Sequence, residues 1–125
     1  MMDSKKPIAI LIVDDEEGVR AHLSTLLTRE RYNVKTCIDG DDAISVLEKE
    51  SFDVVLLDIK MPHMGGFEVL KFIREHHPRT HVIMLTAFAE LANAMESRSL
   101  GADGFIGKPF DPVEVLMELE RITKG

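Results

Sequence analysis

Short apolar runs alternate with amphipathic segments along the chain, and this alternation predicts the fold. The runs at 8–13, 54–57 and 81–85 are rich in branched apolar residues, which is typical of strands buried on both faces. A run of mixed polarity at 34–38 predicts a strand nearer a sheet edge, and 103–107 predicts a short fifth strand. The chain therefore supplies enough strands for one continuous sheet.

The segments between these strands carry apolar residues three or four positions apart, which predicts helices. The predicted helices span residues 16–30, 41–50, 66–75, 90–100 and 111–123. Alternating strands and helices imply a parallel sheet with helices on both faces, and right-handed crossovers leave few topologies. We therefore predict an α/β fold, a flavodoxin-like (βα)5 doubly wound parallel sheet with strand order 2-1-3-4-5. A single domain would span 1–125, with residues 1–7 as an N-terminal tail.

Two details of the helices are predicted from individual residues. Asp14 and Glu17 have the spacing of a capping box at the start of the first helix. In the last helix, the apolar residues expected to face the core or lie beside it are Leu116, Leu119, Ile122, Val113 and Met117.

Polar residues follow four of the predicted strands. They are Asp14 and Asp15 after the first, Asp58 after the third, Thr86 after the fourth and Lys108 after the fifth. The predicted strand order brings these residues to one edge of the sheet, where open α/β sheets bind ligands. Three carboxylates packed together either have raised pKa values or hold a cation, and oxygen ligands with room for water suit Mg²⁺.

Such a set is equipped for phosphoryl transfer, in which positioning and charge neutralisation dominate. We expect Asp58 to be the nucleophile that forms an aspartyl phosphate. Asp15 would hold the metal with support from Asp14, Lys108 would pair with a phosphoryl oxygen, and Thr86 would hydrogen-bond another. Taken singly, each residue has an ordinary interpretation as a helix cap, a turn residue or a solvated lysine. Their joint position at the strand ends favours the chemical interpretation.

Composition narrows the function classes. The chain has 125 residues and a net charge of −7, which argues against direct nucleic-acid binding because such binding needs a basic face. Cys37 is the only cysteine, so an intrachain disulfide and a cysteine-based zinc site are excluded, and a cytoplasmic location is expected. The longest apolar run, Ile8–Val13, is too short to span a bilayer, and residues 1–7 lack the apolar core of a signal peptide.

In motif content and order, the chain resembles the receiver domain of two-component response regulators over nearly its whole length. The matching motifs are the acidic pair at 14–15, DIKMPHMGG at 58–66, LTA at 85–87, and GAD at 101–103 followed by KPF at 108–110. The resemblance implies that Asp58 accepts phosphate from a phosphohistidine of a sensor histidine kinase or phosphotransfer protein. It also implies Mg²⁺ ligation by Asp15, Asp58 and the backbone carbonyl of Lys60.

The resemblance further implies a conformational switch. Thr86 would move toward the phosphoryl group and the aromatic Phe105 would turn inward, changing an output face formed by the fourth helix, the fifth strand and the last helix. It implies a cis peptide bond at Lys108–Pro109. We add the hypothesis that Phe88, which with Lys60 flanks the expected path of the hydrolytic water, narrows that path and lengthens the phosphorylated lifetime.

The expected function is therefore a phosphoacceptor signalling module, which catalyses its own phosphorylation and its own slow dephosphorylation and is otherwise not an enzyme. Its downstream partner would be a separate protein or a fused output domain, without membrane contact, and a homodimer on phosphorylation is left open.

One alternative is a receiver fragment of a larger transcriptional regulator or hybrid kinase. A phosphatase of the haloacid dehalogenase type fits less well, because its motif has a second Asp two residues after the nucleophile, where this chain has Lys60. The complete set of site residues disfavours a non-phosphorylated interaction module.

Overall fold

The protein forms a parallel sheet, seen here in a computed structural model that describes residues 7–86 and 98–124. The strands are β1 (Ala9–Val13), β2 (Asn33–Cys37), β3 (Val54–Asp58), β4 (His81–Thr86) and β5 (Gly104–Gly107). Their order is β2-β1-β3-β4-β5 and every neighbouring pair is parallel, which confirms the predicted sheet. The strand of mixed polarity is the edge strand β2, as its sequence indicated.

Helices cover both faces of this sheet. Within the described residues they are α1 (Glu17–Arg29), α2 (Gly40–Leu47), α3 (Gly66–His76) and α4 (Pro112–Lys124). The helix predicted at 90–100 falls mainly outside the described residues. No helix of the described part combines the length and apolar character that a membrane span requires.

The sheet separates two apolar layers. Leu11 and Val13 of β1 pack on the side of α2 and α3, whereas Ile10 and Ile12 pack on the side of α1 and α4. All four side chains are fully buried. Because successive strand residues point to opposite faces, a strand covered on both sides must be apolar at every position. This requirement accounts for the uninterrupted apolar runs in the sequence.

The predicted capping box of α1 is wrong. The N-cap residue is Glu16, and its side chain makes no capping hydrogen bond. Asp14 instead lies two residues earlier, at the end of β1, where its Oδ1 accepts a hydrogen bond from the Glu16 N–H at 2.9 Å. Asp14 therefore closes the turn between β1 and α1, which residues 14–16 form, and does not cap the helix.

The prediction for the last helix is correct only in part. Leu119 and Ile122 are buried as expected, but the core-facing stripe begins at Val115, which the sequence interpretation passed over. Val113 and Met117 are 58% and 67% exposed. Residues 115, 119 and 122 follow the i, i+4, i+7 spacing of one helical face, whereas Val113 and Met117 lie on a different face of the same helix.

Candidate functional site

The register of the central strands brings two carboxylates together at the carboxyl edge of the sheet. Val13 of β1 pairs with Leu57 of β3, so the residues that follow them, Asp14 and Asp58, are neighbours. Lys108 follows the last residue of β5 and reaches the same place from the other side. The predicted convergence of these three side chains is therefore present in the structure.

The Lys108 ammonium lies among carboxylates. Its Nζ is 2.7 Å from Asp14 Oδ2, 3.1 Å from Glu16 Oε1 and 3.6 Å from Asp58 Oδ2. The contact with Asp14 is an ion pair rather than a well-aligned hydrogen bond, since Asp14 Oδ2 lacks a donor of good geometry among the described residues. Burial lowers the pKa of Lys108, but the neighbouring carboxylates outweigh it and raise the pKa, so the lysine stays charged.

Asp58 has an environment that disfavours its charged form. Only 4% of the residue is exposed, and burial followed by the charge of Asp14 raises its pKa to about 7. The Lys108 charge and the Lys60 N–H, which donates to Asp58 Oδ1 at 3.3 Å, act in the opposite direction. A hydrogen bond shared with Asp15 raises the pKa further. A second cation at this site would favour the ionised carboxylate.

The donor set fits a hard divalent cation. The carboxylates of Asp14, Asp15 and Glu16 can each place one oxygen within 4.8 Å of the others. Asp14 is buried, whereas Asp15 and Glu16 are exposed and leave room for water ligands. Oxygen ligands from carboxylates and water are those that Mg²⁺ prefers. The residues present therefore fit the expected ion.

Glu16 is the residue that the sequence interpretation missed. The sequence places it only at the start of the first helix, although it belongs to an uninterrupted run of four acidic residues at 14–17. Its contact with Lys108 joins residues 92 positions apart, so spacing within a motif could not reveal it. The unusual length of the acidic run was the only available signal.

The loop after β3 is held close to the site by a glycine. A Cβ atom on Gly66, the first residue of α3, would lie 2.2 Å from the carbonyl oxygen of Asp58. The Gly66 N–H donates to the carbonyl of Ile59 at 2.9 Å and fixes this approach. The start of α3 is thereby packed directly against the residue at the end of β3.

The structure describes only some of the other predicted site residues. The Lys108–Pro109 peptide bond is cis. Phe105 is half-buried and packs against the apolar layer on the side of α2 and α3. The side chain of Thr86 and the whole of Phe88 lie outside the described part of the chain, so their predicted roles stay predictions.

A groove opens beside the Lys108 side chain. It has a volume of about 430 Å³, and its walls include Glu16, Val19 and His22 on one side and Lys108 and Phe110 on the other. The rings of His22 and Phe110 have centroids 6.1 Å apart. The groove therefore lies beside the charged site, between α1 and the segment that follows β5.

Comparison with known proteins gives consistent matches. Residues 10–120 match the family described as the response regulator receiver domain. The chain is 39% identical over 123 residues to the transcriptional regulatory protein ResD of Bacillus subtilis, a match that covers 98% of this chain and 51% of ResD. It therefore spans about half the length of that relative.

Solved structures give the same result. The Vibrio cholerae chemotaxis protein CheY4 superposes with a TM-score of 0.89 at 34% identity, covering 94% of this chain and 99% of CheY4. The BeF3-activated receiver domain of DrrB, from Thermotoga maritima, superposes with a TM-score of 0.88 at 31% identity, covering 96% and 100% of the two chains. Both similarities extend over nearly the whole length of this chain.

Proposed function

Because this chain belongs to the response regulator receiver domain family of two-component systems, we propose that Asp58 is its phosphoacceptor residue. Phosphorylation of an aspartate and dependence on Mg²⁺ are general features of that family. The observation that carries the assignment to Asp58 is its position, buried at the end of β3 with Lys108 Nζ 3.6 Å from its Oδ2. The described site therefore contains a nucleophile, the Asp58 carboxylate, and a cation, the Lys108 ammonium, that can neutralise the negative charge of the incoming phosphoryl group.

The proposed reaction is transfer from a phosphohistidine to the Asp58 carboxylate. An oxygen of Asp58 forms a bond to phosphorus while the phosphorus–nitrogen bond breaks. The nitrogen keeps the electron pair of that bond, and the imidazole leaves as the neutral ring because its other nitrogen carries a proton. Lys108 neutralises charge on a phosphoryl oxygen, and Thr86 donates a hydrogen bond to another. Mg²⁺, when bound, supplies further charge neutralisation. Asp14, Asp15, Asp58 and the backbone carbonyl of Lys60 would hold it, and Glu16 lies within the same acidic cluster.

The groove beside Lys108 supports a route for the phosphodonor. It adjoins the site and is lined by α1 and by the segment after β5, so a donor side chain that enters it approaches Lys108 directly. We assign this surface to a sensor histidine kinase or a histidine phosphotransfer protein. A small acyl phosphate that enters the groove would approach Lys108 in the same way, which is consistent with the expected self-phosphorylation.

The output of the phosphorylated domain is proposed on the basis of the relatives. ResD is a transcriptional regulator about twice the length of this chain, whereas CheY4 is matched almost completely, so both a fused output domain and a separate partner have precedents. The proposed switch uses Thr86 and Phe105.

The exposed Val113 and Met117 on α4 supply an apolar surface for a phosphorylation-dependent homodimer. The net charge of −7 disfavours direct DNA contact by this chain, because such contact needs a basic face. We also propose a cytoplasmic location.

Incubation with acetyl phosphate and Mg²⁺ tests the proposed phosphoacceptor. The wild type should gain the mass of one phosphoryl group, and Asp58→Asn should gain none. Asp41→Asn, which changes an exposed aspartate in the first turn of α2, is the matched control and should be labelled like the wild type. Equal labelling of Asp58→Asn and the wild type would refute the assignment.

A further inference from the structure

Glu16 occupies a position for which its side chain is poorly suited. It is the N-cap residue of α1, where Ser, Thr, Asp or Asn normally satisfies a free backbone N–H. The Glu16 side chain makes no such bond and instead extends to Lys108, with 3.1 Å between Oε1 and Nζ. The N-cap position is therefore used for a long-range contact at the functional site rather than for helix capping.

The three carboxylates around Lys108 differ in distance and exposure. Asp14 and Glu16 contact the ammonium at 2.7 and 3.1 Å, and Asp58 is the most distant at 3.6 Å. The Lys108 side chain is 12% exposed, the Asp14 side chain is fully buried, and the Glu16 side chain is 62% exposed. Glu16 therefore contacts Lys108 from the groove side, whereas Asp14 contacts it from inside the fold.

We infer that Glu16 is a positioning residue that holds the Lys108 ammonium away from Asp58 in the unphosphorylated domain. This inference rests on the proposed function. A phosphoryl group on Asp58 must attract the same ammonium, so it competes with the Glu16 carboxylate for Lys108. The strength of the Glu16 contact then sets how favourably the phosphorylated state forms.

Removal of the Glu16 charge should shift this competition toward the phosphoryl group. Glu16→Gln keeps the length of the side chain and removes the competing negative charge. Because Glu16 is exposed, the ion pair is weak, and we expect the variant to bind a phosphoryl analogue roughly two- to fivefold more tightly. Asp14 cannot serve for this test, because it belongs to the proposed metal site.

Glu17→Gln is the matched control. Glu17 is also exposed, lies in the first turn of the same helix and loses the same charge on substitution. Both variants therefore change the helix dipole interaction and the net charge equally. Only the Glu16 variant removes a carboxylate that contacts Lys108.

The experiment measures calorimetric affinity for beryllofluoride in the presence of Mg²⁺, for the wild type and both variants. Tighter binding by Glu16→Gln, with Glu17→Gln equal to the wild type, supports the inference. Equal affinities in all three proteins would overturn it and leave the proposed function intact. Failure of the wild type to bind beryllofluoride would refute the proposed function itself, and with it the inference.

Two further measurements separate positioning from metal binding. In the metal-free protein, the ¹⁵N-detected Lys108 ammonium should exchange its protons faster with solvent in Glu16→Gln than in Glu17→Gln, because the covering carboxylate is lost. Unchanged exchange would contradict the inference. The Mg²⁺ affinity of the two variants is measured alongside, because Glu16 also lies in the acidic cluster of the proposed metal site. A selective loss of Mg²⁺ affinity in Glu16→Gln would assign Glu16 to the metal instead and overturn the positioning role.

Discussion

Lys108 Nζ lies closer to Asp14 Oδ2, at 2.7 Å, than to Asp58 Oδ2, at 3.6 Å. The lysine therefore neutralises the buried Asp14 carboxylate in the unphosphorylated domain while remaining within reach of the proposed phosphoacceptor. The Lys108 ammonium interacts with two carboxylates. A phosphoryl group or a metal ion at Asp58 would change the relative strength of these two interactions.

Substitution of Lys108 should destabilise the metal-free domain. Lys108→Met leaves the buried Asp14 and Asp58 without their contacting ammonium, and we expect a loss of about 1–3 kcal/mol in the free energy of unfolding at pH 8. The loss is smaller than for a fully buried pair because Asp58 can take up a proton. Mg²⁺ should restore more stability to this variant than to the wild type. Urea unfolding with and without Mg²⁺ measures both effects, with the exposed Lys71→Met as a control that should behave like the wild type.

The stability of the metal-free domain should depend on the ionisation of Asp58. Its pKa of about 7 in the folded state, against 3.8 for the unperturbed group, means that the folded state retains the proton over that interval. Retention of this proton contributes to the stability of the folded state, and the contribution is complete below about pH 4. It is lost as the pH rises through 7. Each unit of difference between the two pKa values corresponds to about 1.4 kcal/mol of unfolding free energy. Asp58→Asn removes this pH dependence, because the asparagine amide does not ionise.

The measurement is urea unfolding in EDTA at several pH values between 5 and 8. The stability of Asp58→Asn relative to the wild type should increase as the pH rises across this range. Parallel pH profiles for the two proteins would show that Asp58 has an ordinary pKa. Added Mg²⁺ should reduce the difference, because binding of the ion favours the ionised carboxylate.

Two glycines at helix starts should respond to alanine with opposite signs. Gly66→Ala places a Cβ 2.2 Å from the Asp58 carbonyl oxygen, so α3 must shift and we expect a loss of about 1–3 kcal/mol or more. In Gly18→Ala of α1, the added Cβ meets no atom within 4 Å among the described residues, apart from its chain neighbours and the helix's own backbone, and we expect a gain of roughly 0.5–1 kcal/mol. Thermal unfolding distinguishes them, and a neutral Gly66→Ala would contradict the close approach of α3 to β3.

A pair of valines in α4 tests which face of that helix is buried. Val115 is fully buried and Val113 is 58% exposed, although both are valines in the same helix. Val115→Ala should cost about 1.5–3 kcal/mol of unfolding free energy, whereas Val113→Ala should change stability by less than about 0.5 kcal/mol. Chemical denaturation of the two variants gives the comparison. Similar losses at both positions would mean that Val113 is covered in solution, for instance in a dimer.

The sheet could be predicted from sequence because burial on both faces imposes an uninterrupted apolar run. Asp58 could be found for the same reason, since a carboxylate that ends such a run needs a chemical explanation. The stripe of α4 was assigned incorrectly because apolar residues occupy several positions of that helix, and periodicity alone leaves its core-facing edge ambiguous.

The role of Glu16 at the site could not be predicted from the sequence. An acidic residue at the start of a helix is ordinary, because it interacts favourably with the helix dipole. Its functional meaning depends on Lys108, which reaches it only after the chain has completed the sheet. The acidic pair, by contrast, could be recognised because its partners lie at the ends of neighbouring strands.

Chemical mapping of the phosphorylated residue determines whether Asp58 carries the phosphoryl group. The wild type is phosphorylated with acetyl phosphate and Mg²⁺ and then reduced with borohydride, which converts an aspartyl phosphate to homoserine. Peptide mass spectrometry should find homoserine at position 58 and aspartate at positions 14, 15 and 53. Homoserine at another aspartate, with position 58 unchanged, would contradict the account.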